Sequence, residues 1–246
     1  MIDQLVELQR KRSEFLKRDG IRMADDLFDI EQNARVVRNA EEYYRTMMSG
    51  EVSSWNLRDR HMVETLTLLR KHLQKGAVPP KIVVWAHNSH LGDARFTEMG
   101  ERGEWNVGEL LRKGFPSKTF LLGFTTYSGT VTAASDWDSI AENKRIRPGL
   151  PESYEDIFHR TGIDRFVLNF RGGDLLSRAL QGPRLERAIG VLYRPDSERR
   201  SHYFYANLSR QFDAVFHMDV TRAVEPLEKT GLWLDGEALE TYPSAM

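Results

Sequence analysis

The chain has no cysteine among its 246 residues, which excludes a thiol nucleophile, a thiolate metal site and a disulfide framework. It also lacks any apolar run close to the roughly 20 residues needed to span a membrane. Its opening, "MIDQLVELQRKRSEFLKRDG", is charged throughout and does not resemble a leader, so the expected location is cytoplasmic. Neither sign of charge dominates: 35 basic and 36 acidic residues give a formal net charge of -1, leaving no global field to attract nucleic acid or an anionic membrane. Three motifs are absent as well. There is no Gly-x-Ser-x-Gly nucleophile elbow, no phosphate-binding Walker loop and no dinucleotide fingerprint.

With 40% hydrophobic and 29% charged residues, the chain can bury one large core or two small ones. The first third has helical spacing. Apolar positions Ile30, Ala34, Val37, Tyr44 and Met48 recur on one stripe, and Met62, Leu66, Leu69 and Leu73 repeat the pattern in "SSWNLRDRHMVETLTLLRKHL", for which Ser53 or Ser54 is the expected cap. "GAVPPK" ends that helix.

Strand candidates follow in "KIVVWA", "KTFLLGFTT", "GTVTAA", "DRFVLNF", "AIGVLYR" and "FDAVFHMD". Helical stretches are expected around Asn106–Lys113, Tyr154–Arg160 and Tyr203–Arg210, with linkers near Gly76–Pro80 and Lys144–Pro151. The fold class is therefore α/β: a helical segment over residues 1–78, then an α/β core over residues 79–246 with a mostly parallel sheet.

The most informative stretch is "IVVWAHNSH", residues 82–90, where a run that reads as a core strand over Lys81–Ala86 ends on His87, Asn88 and His90. Loops at the carboxyl edge of a sheet are where α/β proteins place reactive groups. Three readings compete: the histidines satisfy loop backbone, they bind a metal completed from elsewhere, or they do acid/base chemistry near neutral pH. On the preceding helix Arg58 lies one turn before Met62 on the apolar stripe, with Asp59 beside it. A charge there needs a partner or a cavity, unless the first turn simply faces water.

The ordered blocks "NLRDRHM", "KIVVWAHNSHLGDARFTEMG", "NVGELLRKGF", "YSGTVTAA" and "QFDAVFHMDVTRAVEPL" closely resemble the erythromycin esterase family over about residues 29–227. The resemblance implies a hydrolase that opens a macrolide lactone or a related ester by attack of water, without a cofactor or metal. It implies that His87 and His90 are catalytic, polarising the ester carbonyl, stabilising the oxyanion or relaying protons, and that Arg58, Asp59 and Asn88 bind substrate or support them. The family's general base belongs to a Gly-Glu-x-x-His block that this sequence does not contain. The expected partners are thus a small-molecule ester and the N-terminal segment of the same enzyme, with the chain inactive by itself. The alternative class is a non-catalytic or metal-binding α/β module using the His87/His90 loop. His217 reads as structural, the "FRGGD" stretch at Phe170–Asp174 as a turn, and His61, His72, His159 and His202 belong to no visible constellation.

Overall fold

The computed structural model describes residues 21–47, 51–74, 76–173 and 175–225. The chain divides into two compact units, Met1–Trp85 and Ala86–Met246.

In the first unit, helices α1 (Ile21–Met47) and α2 (Glu51–Leu73) pack on each other. The buried face of α1 carries Leu27, Glu31 and Asn39 rather than the expected apolar stripe, and Ile30, Val37 and Tyr44 are about half exposed. The reason is polar pairing between the helices: the Asn39 carboxamide meets Nδ1 of His61 on α2. A satisfied hydrogen bond makes an amide as acceptable there as a methyl group. Because α2 already begins at Glu51, Ser53 and Ser54 lie inside the helix and do not cap it. Beyond α2, "KIVVWA" pairs with no strand among the described residues, and Val83 and Trp85 are more than four-fifths exposed. The expected core strand over Lys81–Ala86 is therefore absent. An apolar run becomes a strand only where a neighbour takes up its backbone groups.

The second unit carries a mixed sheet in the order β2-β1-β6-β3. Its strands are β1 (Leu122–Ala133), β2 (Glu142–Ile146), β3 (Arg165–Asn169) and β6 (Ala214–Thr221). β1 and β6 run parallel, whereas β2 and β3 pair antiparallel, so the sheet is only partly parallel. A separate hairpin joins β4 (Arg184–Arg187) to β5 (Tyr203–Ala206).

The two candidates "KTFLLGFTT" and "GTVTAA" merge into the single long strand β1. Gly129 lets it pass from one partner to the other: its φ is +124°, and a Cβ there would lie 2.0 Å from the Thr221 carbonyl oxygen. Only glycine tolerates both conditions. Residues 188–194 form no strand beyond a bridge between Ala134 and Leu192. The expected helix over Tyr203–Arg210 is β5 followed by one helical turn, Leu208–Gln211, and the expected linker from Lys144 begins inside β2.

After the short turns α3 (Asn88–Leu91) and α4 (Glu98–Glu101), helix α5 (Val107–Gly114) and helix α6 (Tyr154–His159) fall where the periodicity predicts. Each has a side-chain cap: Asn106 accepts from the Glu109 N–H at 2.9 Å and Ser153 from the Asp156 N–H at 3.2 Å. The core joins Tyr154 and Phe158 of α6 to Leu121, Phe170, Leu208, Phe212 and Val215. On the opposite face of the sheet, Phe124, Phe216 and Val167 stand in one cross-strand row and are partly exposed.

Candidate functional site

His87, Asn88 and His90 surround a single helical turn, α3 (Asn88–Leu91), where each has a different task. His87 is the N-cap. Its Nδ1 accepts from the Ser89 N–H at 3.2 Å, and its Nε2 lies 2.9 Å from the Ile189 carbonyl oxygen. A carbonyl can only accept, so Nε2 carries the proton and Nδ1 the lone pair. Desolvation by the surrounding protein pulls the His87 pKa below the usual histidine value. The bond to Ile189 opposes that shift, and the charge of His90 adds to it. Near neutral pH His87 is an uncharged donor through Nε2.

Asn88 is committed to the sheet. Its Nδ2 donates to the Phe124 carbonyl at 2.7 Å and its Oδ1 accepts from the Phe124 N–H at 3.1 Å. His90 is half-buried, with its backbone N–H bonded to the His87 carbonyl at 2.9 Å.

The turn is held from below by close packing. Asn106 reaches over from its cap position to donate to the Ser89 carbonyl at 2.7 Å. A Cβ on Gly108 would lie 2.1 Å from the Leu91 carbonyl oxygen, so the absence of a side chain lets α5 press against the loop. Asp93, almost fully buried, takes two bonds from the Arg95 guanidinium at 2.9 and 2.6 Å.

Arg58 and Asp59 lie on α2 in the first unit, whereas the histidine loop belongs to the second. Asp59 is fully buried, and the Arg58 guanidinium lies 4.8 Å above the Trp55 ring. Met62, expected on the apolar stripe one turn after Arg58, is exposed, whereas Asn56 and Leu57 are buried.

Sequence reasoning missed two polar groups. His159 does belong to a constellation: it and His217, which is buried against Phe158 and Phe166 in keeping with its structural reading, both approach the Asp219 carboxylate, at 2.8 and 3.5 Å. The legible signal is the spacing of His217 and Asp219, two apart on a strand and hence on one face. Glu155 and Glu186 form a buried acidic pair, and neither oxygen of Glu186 makes a hydrogen bond among the described residues. Burial and the neighbouring Glu155 carboxyl, opposed by Gln211, push the Glu186 pKa up to about 8. Among the described residues no three His, Asp or Glu side chains converge to hold a metal ion, and no described helix is long and apolar enough to cross a membrane.

The family model for erythromycin esterase matches residues 1–221. The chain belongs to the erythromycin esterase family. Solved structures with a similar fold include a Bacillus cereus protein, 19% identical over 92% of this chain and 51% of its own, with a TM-score of 0.67. A mutant of the erythromycin esterase EreC in its open conformation is 17% identical, covering 92% of this chain and 52% of its own, with a TM-score of 0.60. A succinoglycan biosynthesis protein is 18% identical over 90% and 58% of the two chains, with a TM-score of 0.57. This member of the esterase family thus spans about half the length of the solved structures it matches. Its esterase-like fold is a helical segment followed by strands and helices around a partly parallel sheet.

Proposed function

We propose that the chain contributes the His87/His90 loop to an esterase-like hydrolase that opens a macrolide lactone or a related carboxylic ester by attack of water. The observation that carries this reading is the bonding of His87: its Nδ1 is fixed by the cap bond, and its Nε2 presents a proton to the Ile189 carbonyl. When an ester binds, that N–H exchanges the Ile189 carbonyl for the ester carbonyl and stabilises the negative charge that develops on its oxygen. His90 relays the proton to the leaving alkoxide.

His87 is not the base in this arrangement, because its lone pair is used in capping α3. Asn88 acts indirectly, by fixing the turn to β1. The water-activating base is supplied by the part of the fold that the longer relatives carry and this chain does not span.

The test is macrolide opening followed by mass spectrometry as the gain of one water. The chain alone should leave a macrolide intact, whereas the chain combined with a polypeptide carrying the remaining half of a solved relative should open it. In that combination His87→Ala or His90→Ala should lower the rate by about a hundredfold, as for loss of an oxyanion or proton-transfer contact. Wild-type rates in both variants would overturn the assignment. Rapid opening by the chain alone would place the base within it.

A further inference from the structure

We propose that His159 and Asp219 form a second acid/base site, separate from the His87 loop, in which Nε2 of His159 takes a proton from water attacking a small, unhindered carboxylic ester. The geometry is that of an imidazole oriented by a carboxylate. Nδ1 of His159, at the end of α6, lies 2.8 and 3.0 Å from the two oxygens of Asp219 on β6. A carboxylate accepts, so Nδ1 carries the proton and the lone pair lies on Nε2. Nε2 makes no hydrogen bond among the described residues, and the side chain is 43% exposed. His87 has no such freedom, since both of its ring nitrogens are engaged.

The surroundings hold this tautomer. Tyr127 of β1 stacks on the His159 ring, with centroids 3.7 Å apart and planes 2° from parallel, which closes one ring face and leaves the edge open. Asp219 is fixed through its backbone N–H, bonded to the Asp164 carbonyl at 2.8 Å. It is approached from the core side by His217, whose Nε2 is 3.5 Å from the same carboxylate and whose Nδ1 is 3.0 Å from the Thr125 hydroxyl. The His217 contact is long, and its Nε2 makes no hydrogen bond among the described residues. The contact of both carboxylate oxygens with Nδ1 and the backbone bond to Asp164 hold Asp219 beside His159. Tyr127 and Asp219 also lie toward the carboxyl ends of the stretch over which β1 and β6 run parallel, the edge at which α/β sheets hold ligands.

The step balances within the site. One water proton passes to Nε2 as the water oxygen bonds to the ester carbonyl carbon. The tetrahedral adduct then breaks its bond to the alkoxide oxygen, which leaves with that proton, so ester and water become acid and alcohol. Small substrates suit the site because Tyr127 covers one face of the ring.

The experiment is hydrolysis of p-nitrophenyl acetate by the whole chain near neutral pH. His159→Gln and Asp219→Asn should each lower the rate by at least about tenfold, the modest end for general base catalysis because uncatalysed reaction continues beneath it. His72→Gln, which removes another imidazole, should not lower it. A solvent deuterium isotope effect should disappear with His159, separating proton transfer from direct attack by the ring. Reaction with diethyl pyrocarbonate needs no variant: His159 should be modified before the other histidines, with hydrolysis falling in step. Full activity after His159 is modified, or an unchanged rate in Asp219→Asn, would overturn the proposal. A p-nitrophenyl ester involves no macrolide, so failure here leaves the His87 reading standing, and the converse holds.

Discussion

Asn88 and Phe124 are joined by two hydrogen bonds, at 2.7 and 3.1 Å, in which one carboxamide takes both the C=O and the N–H of a strand residue. That is the pairing a residue on a neighbouring strand would supply. The side chain therefore closes part of the edge of β1 and anchors the histidine turn in the same contact.

Asn88→Ala should release both groups at once. The expected loss is about 1–2 kcal/mol, because water reaches this partly exposed edge and replaces some of what is lost. Urea unfolding checks it. Asn88→Asp keeps the acceptor but sets a carboxylate against the Phe124 carbonyl, so it should recover little.

Gly108→Ala tests the packing beneath α3. The added methyl would meet the Leu91 carbonyl oxygen at 2.1 Å, a backbone atom that moves only with its loop. A cost of about 1–3 kcal/mol is expected, with amide shifts in NMR spectra concentrated at residues 88–92. Unchanged spectra there would mean that α5 does not brace the turn.

Arg187 is nearly fully buried and donates to the carbonyls of Thr126, Tyr127 and Arg147 at 2.6, 2.7 and 2.7 Å while pairing with the buried Glu198 at 3.2 Å. Arg187→Met leaves three carbonyls and one carboxylate without their donor. The expected loss is about 3–5 kcal/mol, read as a lowered melting temperature. Adding Glu198→Gln should restore part of it, since the stranded charge is then gone.

Glu186 sets a pH dependence. Its folded pKa of about 8 lies above the unfolded carboxylate value, so between those two pH values the folded chain holds a proton that the unfolded chain has released. The contribution of this group to stability must fall as pH rises through that window. Glu186→Gln removes the titration and keeps the shape. It should be more stable than wild type near pH 8, by on the order of a few kcal/mol, and show little difference near pH 5. Equilibrium denaturation at the two pH values decides it, and an equal difference at both would show that Glu186 does not titrate this way.

Helices were the legible part of the fold. α5 and α6 lie where the apolar spacing and the polar residues Asn106 and Ser153 predict, because a helix closes its hydrogen bonds within a few residues and its cap is part of the same segment. The ordered family blocks were legible for a related reason: their residues follow one another along the chain, so recognising them needs no tertiary contact.

Strands and protonation states were decided by tertiary structure. "KIVVWA" has the composition of a core strand and pairs with none among the described residues, whereas the charged stretches Glu142–Ile146 and Arg184–Arg187 are strands because β1 and β5 lie beside them. Half of a ladder belongs to another segment, so no local pattern fixes it. The same holds for the histidines. His87 and His159 are the same residue type, yet one has both nitrogens bound and the other keeps a lone pair open, a difference set by Ile189 and Asp219, 102 and 60 residues away in the chain. An imidazole has one proton to place on two nitrogens, and only the groups that folding brings to each side determine where it goes.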